Sequence, residues 1–182
     1  MVWERLFRRP LRKQLHQAKR IDLLLETAAR IRPRESFKLL ILAGDSFAPF
    51  QAPVRRLGLE DRIIVREKVS DIEDWLQAAD LGIFTSELET FCLSILEAMS
   101  FACASVSSRV GGIPEVVEDN VSGMRVPFGD VAAMAAAVEG LMRDAARRRE
   151  LGRAAQVRAR ELFSANAIVP RYQELYHRVC GA

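Results

Sequence analysis

The chain has 182 residues, 49 % of them apolar, with a formal net charge of +3, which suits one domain with a substantial core. Cys92, Cys103 and Cys180 are odd in number and lack metal-ligand spacing, so a disulfide framework and a cysteine-held metal are excluded. There is no stretch of 18 apolar residues and no signal-peptide pattern, so the expectation is a soluble, cytoplasmic chain.

Charge is unevenly placed. Residues 1–20 hold seven Lys or Arg against Glu4 alone, a balance of +6, which leaves −3 for the body. The body therefore lacks the composition of a nucleic-acid binder. In the arm, residues 1–18, Trp3, Leu6, Phe7, Leu11 and Leu15 recur at helical spacing around Pro10, and no strand is predicted. Two readings of the arm are open. One is a basic amphipathic helix in peripheral contact with an anionic membrane. The other, favoured by Pro10, is a truncated or displaced gene start, or an arm packed on the domain.

From residue 19 onward strands and helices alternate. A helix over 21–32 ends before Pro33, and Phe37–Ala43 reads as a central strand turning at Gly44. Val54 to Leu57 closes a short helix, and Ile63–Val65 is the next strand. Glu67-Lys68-Val69-Ser70 then forms a loop, with Ser70 or Asp71 as the cap of a helix through Trp75 and Leu76. Leu81–Phe84 and Ala104–Ser107 read as buried strands. Gly111-Gly112 turns the chain before Pro114 opens a short helix at its first position, and Glu115 is read as complementing the positive start of that helix. Gly123–Val126 is the last strand. Asp130 caps a helix with an apolar face of Val131, Met134, Ala135, Val138, Leu141 and Met142. Arg147 to Arg149, Arg153, Arg158 and Arg160 are expected on a solvated polar face, and a final helix carries Tyr172, Leu175, Tyr176 and Val179 on a strip left exposed.

The organising stretch is Ser86–Met99, which leaves the strand at Phe84 and enters a helix carrying Leu93, Ile95, Leu96 and Met99. In an open parallel sheet that junction lies at the carboxyl edge, where the first amides of the helix favour an anion. Glu89 sits in the loop and Glu97 in the helix; a helix starting near Phe91 puts Glu97 about 9 Å along its axis. A diphosphate at the helix start leaves its ribose near Glu97, whose carboxylate accepts two hydroxyl hydrogen bonds. Glu87 is read as an exposed loop carboxylate.

Glu89-Thr90-Phe91-Cys92-Leu93-Ser94-Ile95-Leu96-Glu97 resembles the signature of retaining GT-B glycosyltransferases of the family-4 type. Leu42-Ala43-Gly44-Asp45, Leu57-Gly58-Leu59-Glu60-Asp61-Arg62 and Gly111-Gly112-Ile113-Pro114-Glu115-Val116-Val117 resemble further elements of that family, in its order, so the likeness runs over about residues 19–178. Within the family the chain is similar to enzymes that attach N-acetylglucosamine to malate. The resemblance implies an α/β fold, a Rossmann-like doubly wound parallel sheet forming the second half of a GT-B fold with carboxy-terminal helices.

On that resemblance residues 19–182 are a donor-binding domain for a nucleotide-sugar, a UDP-sugar above all, whose sugar is transferred with retention. Glu89 and Lys19 are the implied catalytic pair, Glu89 on the sugar hydroxyls and Lys19 on the departing diphosphate. Glu97, Phe91, Cys92, Leu93, Gly44, Lys68 and Val69 are the implied donor-binding residues, with Lys68 read as an exposed loop lysine. No metal or other cofactor is expected. The acceptor-binding first domain is missing, so the chain alone is expected to be inactive. A nucleotide-binding module without transferase activity and a membrane-surface protein are the alternatives.

The chain departs from the family at three places. Ser46 stands where a glycine is usual, and Thr90 and Cys92 replace two glycines around Phe91, so side chains there are expected to narrow the pocket. The family strand that ends in a diphosphate-gripping arginine has no counterpart, and Arg12 or Lys13 is left as a substitute.

Overall fold

The computed structural model describes residues 18–44, 46–70 and 72–181. The basic arm with Arg12 and Lys13, and the capping role offered to Asp71, lie outside these residues. Parallel strands alternate with helices: α1 (Ile21–Ile31), β1 (Leu39–Ala43), a 3-10 turn (Ala48–Phe50), α2 (Gln51–Arg56), β2 (Ile63–Glu67), α3 (Ile72–Ala78) and β3 (Leu81–Phe84). There follow α4 (Leu93–Ser100), β4 (Ala104–Ser108), α5 (Ile113–Val116), β5 (Met124–Val126), α6 (Val131–Arg143), α7 (Ala145–Phe163) and α8 (Ala165–Cys180). This is the α/β alternation expected of a doubly wound parallel fold.

The parallel sheet comes in two pieces. β1 pairs with β2 in register Leu39↔Ile63 through Ala43↔Glu67, and β3, β4 and β5 form the second piece in that order. All pairs are parallel, so within each piece the loops that follow the strands gather at one carboxyl edge.

Three apolar clusters hold the elements. Leu24, Leu25 and Ala28 of α1 pack with Ile41, Phe47, Val54 and Leu59. Val106 of β4 packs with Met134, Val138 and Leu141 of α6 and Leu151 of α7. Ile95 and Met99 of α4 meet Ile113, Val116 and Ala155. Each fully buried Leu or Ile contributes about 1.5–3 kcal/mol through water exclusion alone. α4 is therefore anchored on its inner face, which fixes where its amino end points.

Helix boundaries follow from their caps. Asp130 accepts from the Ala133 amide (2.8 Å) and starts α6, as expected. Asp144 accepts from the Arg147 amide (2.8 Å) and starts a separate helix, α7, while Ser164 caps α8. Pro114 is the second residue of α5, not the first, because the turn already begins at Ile113. The arginines of α7 need a larger correction. Arg148 donates to the carbonyl oxygens of Leu141 (2.6 Å) and Met142 (3.3 Å), Arg147 to that of Asn120, and Arg158 to those of Val116 and Glu115 (both 2.9 Å). These three tie α7 to the ends of α5 and α6 and to the turn at Asn120, because helix and turn ends present carbonyls without partners of their own. Arg149, Arg153 and Arg160 are solvent-exposed, as expected.

Candidate functional site

α4 begins with Cys92, whose φ of 59° lies in the left-handed region. Its carbonyl accepts from the amides of Ile95 (3.0 Å) and Leu96 (3.4 Å), and no side chain caps the helix. A helix start without a side-chain cap, facing a loop, is a place where an anion gains from the amides and the dipole. The helix starts at Leu93 rather than near Phe91, which brings Glu97 to about 6 Å from the start along the axis.

The loop ahead of the helix is pinned from two sides. From one side come Gly111 and Gly112: the Gly112 amide donates to the Glu89 carbonyl (3.1 Å). A Cβ at Gly111 would lie 1.8 Å from that same oxygen, and one at Gly112 would lie 2.0 Å from the carbonyl oxygen of Thr90. Only glycine fits at this approach. From the other side comes the start of α1. The Thr85 hydroxyl bridges the carbonyls of Lys19 (3.1 Å) and Arg20 (3.0 Å), the Glu87 amide donates to the Ala18 carbonyl (2.7 Å), and Arg20 reaches the Glu87 carboxylate (3.4 Å).

Inside this frame Lys19 Nζ donates to Glu89 Oε1, and the Ser86 hydroxyl donates to the same oxygen (3.0 Å). Both charged side chains are largely buried, at 20 % and 11 % exposure. The implied catalytic pair is thus one ion pair, not two separate contacts. Thr85 and Ser86, which place the pair, are not among the site residues expected from the sequence, although Ser86 opens the organising stretch. The signal in the sequence is two hydroxyl residues directly after an apolar strand.

Cys92 does not narrow the pocket. Its side chain is 4 % exposed and packs inward with Ile95 and Ile113. Burial, with the Glu89 charge adding, pushes the thiol up to about 11, so it stays protonated. Thr90, Phe91 and Leu93 face solvent, and Phe91 stacks edge-on against Phe163 of α7 at 5.5 Å. One turn further along α4, Glu97 Oε2 is buried and has no hydrogen-bond partner among the described residues. Burial raises the Glu97 pKa, and the Glu73 carboxylate adds to the rise. A buried acceptor without a partner is costly in the absence of a donor.

The remaining donor-binding residues form a second group. Gly44 follows β1 directly, and the Lys68 amide donates to the Ala43 carbonyl (2.9 Å), so Gly44, Lys68 and Val69 lie together at the carboxyl edge of the β1–β2 pair. Lys68 has a φ of 54° and is exposed. Among the described residues no side-chain bond joins this group to Glu89. A cavity of about 610 Å³ between the two sheet pieces reaches Lys19, Ser86 and Ser94, but Glu89, Phe91, Leu93 and Glu97 do not line it. Among the described residues no group of three His, Cys, Asp or Glu side chains could hold a metal ion.

Comparison with known proteins bears on the family and the fold. The family described as glycosyl transferases group 1 matches residues 12–144. The chain is 31 % identical over 164 residues to N-acetyl-alpha-D-glucosaminyl L-malate synthase of Bacillus anthracis, covering 90 % of this chain and 43 % of that enzyme. It is 34 % identical to alpha-maltose-1-phosphate synthase of Mycobacterium tuberculosis, covering 86 % and 44 %. The chain therefore spans less than half the length of these curated relatives. Among solved structures, sucrose-phosphate synthase from Thermosynechococcus elongatus superposes with a TM-score of 0.84 at 26 % identity, over 91 % of this chain and 43 % of that one. Anabaena HepE in complex with UDP superposes at 0.80, with 24 % identity over 91 % and 46 %. The chain belongs to the glycosyl transferases group 1 family and has the fold of the carboxy-terminal, Rossmann-like half of a GT-B glycosyltransferase.

Proposed function

We propose that this chain is the donor-binding half of a retaining glycosyltransferase that takes its sugar from a UDP-sugar. The observation that carries the reading is Glu97: a buried carboxylate oxygen without a partner among the described residues, one turn inside a helix whose amino end has no side-chain cap. A nucleoside diphosphate fits both features at once. Its phosphates meet the amides at the start of α4 and its ribose hydroxyls donate to Glu97. Lys19 lies beside this helix start and would counter the charge of the departing diphosphate, an electrostatic contribution to the barrier. Glu89, held by Lys19 and Ser86, would accept from hydroxyls of the donor sugar and orient it. Phe91, Cys92 and Leu93 contribute backbone at the phosphates, and Gly44, Lys68 and Val69 line the side where the base would rest. The transfer would need no metal. That Anabaena HepE has been solved with UDP and with UDP-glucose supports the choice of donor class.

The acceptor would be held by an amino-terminal domain, so the described domain by itself would bind donor and transfer nothing. A cytoplasmic location, at most peripheral to a membrane, belongs to the same proposal; among the described residues no helix is long and apolar enough to cross one. The test is UDP titration by calorimetry with wild type and Glu97→Ala. Two hydrogen bonds to a charged acceptor are lost, so affinity should fall by about tenfold or more. Equal affinity would refute the ribose role of Glu97.

A further inference from the structure

Lys19 and Glu89 act in opposite directions on an arriving nucleotide. A diphosphate is attracted by the Lys19 ammonium and repelled by the Glu89 carboxylate. In the folded chain each is already committed to the other: Lys19 Nζ donates to Glu89 Oε1, the Ser86 hydroxyl donates to the same oxygen, and both charged side chains are largely buried. Taking one partner away from such a pair is costly, because the charge left behind has neither water nor a counter-ion.

The backbone on both sides of the pair is fixed. The Thr85 hydroxyl holds the carbonyls of Lys19 and Arg20. Arg20 is itself strained, at a φ of 48°, and is kept there by Asp22 (2.8 Å), by Glu87 and by the Phe128 ring at 5.4 Å. On the other side the Gly112 amide holds the Glu89 carbonyl. Any exchange of partners therefore falls to the side chains, and the four-carbon stem of Lys19 gives it the reach to turn from Glu89 to a neighbouring anion.

We infer, building on the donor reading of this site, that Glu89 determines selectivity for a nucleoside diphosphate that carries a sugar over the same diphosphate without one. Sugar hydroxyls are donors that can replace Lys19 at Glu89. With Glu89 satisfied in that way, Lys19 turns to the diphosphate. A diphosphate without a sugar brings no such donor. It either binds without the cation or leaves the Glu89 carboxylate buried and bare, and both weaken it. Once the sugar has left, Glu89 takes Lys19 back and the spent nucleotide is released.

Calorimetric titration of the full chain with UDP, UDP-glucose and UDP-N-acetylglucosamine tests this on wild type, Glu89→Gln, Lys19→Gln/Glu89→Gln and Glu97→Ala. Glu89→Gln should bind UDP about fivefold or more tighter than wild type, since it removes a like charge and frees Lys19. The better of the two UDP-sugars should lose about tenfold or more of its advantage over UDP in that variant. The double variant removes both charges together and leaves none unpaired. It should fold even where Glu89→Gln does not, and bind UDP within about twofold of wild type. UDP affinity unchanged or lowered in Glu89→Gln, a double variant weaker by about tenfold, or a wild type that holds neither UDP-sugar tighter than UDP would each overturn the inference. Glu97→Ala separates it from the reading beneath: a loss of UDP affinity there with no gain in Glu89→Gln keeps the donor site and removes this role of Glu89. No UDP binding by any of the four chains would overturn both.

Discussion

Glu97 sets function against stability at a single residue. Its folded pKa is raised by burial, and by Glu73 next, so the folded chain binds a proton more tightly than the unfolded chain does. The sign follows: stability contributed by this group is full below the ordinary glutamate value near 4.5 and is lost as pH rises through the raised folded value. Glu97→Gln has no such loss. Its thermal midpoint should match wild type near pH 4 and exceed it increasingly toward neutrality, while UDP binding falls. Parallel midpoint curves across that range would show that Glu97 is not buried as described. The sequence could place Glu97 on α4, because spacing along a helix is a local property. It could not supply the orphaned oxygen, which depends on what packs around it. Cys92 is the converse case. A non-glycine residue with φ near 59° is strained, which accounts for the glycine usual at that position in the family, yet the side chain turns inward rather than into the pocket.

Elements are placed by close approach as much as by apolar faces. α7 lies so near the turn between α4 and β4 that a Cβ on Gly152 would stand 2.0 Å from the Ala102 carbonyl oxygen. That oxygen belongs to backbone, which cannot swing aside as a long side chain would. Gly152→Ala should therefore destabilise the chain by at least about 2 kcal/mol in urea unfolding, with a red-shifted or broadened near-UV signal from displaced packing. A loss under about 0.5 kcal/mol would mean that α7 slides freely over that turn. All five strands and most helices were readable from apolar runs, caps and glycines, since those signals lie within one segment. The carbonyl-bound arginines of α7 were not. Arg148 and Arg158 find their partners at Leu141, Met142, Glu115 and Val116, and a polar residue's spacing along its own helix says nothing about carbonyls on a neighbour.

At the scale of the molecule the core and α8 separate cleanly. α8 has no buried residue, and it packs chiefly against α7. Tyr172 (56 % exposed), Leu175 (43 %), Tyr176 (63 %) and Val179 (75 %) form the exposed strip anticipated from their helical spacing, and Val169 (50 %) extends it toward the start of the helix. With Ser164 supplying its cap and Pro170 inside it, the helix holds its shape locally and contributes little to the three clusters beneath. Ending the chain after Phe163 should accordingly leave the thermal midpoint within about 4 °C, the shift that a 1 kcal/mol change brings at this size. The truncated chain should also be more soluble, because an exposed apolar patch on a soluble unit promotes association. Phe163 remains to hold Phe91, so UDP affinity should be unchanged. A midpoint lowered by more than about 10 °C would make α8 part of the cooperative unit, and its apolar strip would then be a consequence of folding rather than a surface held in reserve.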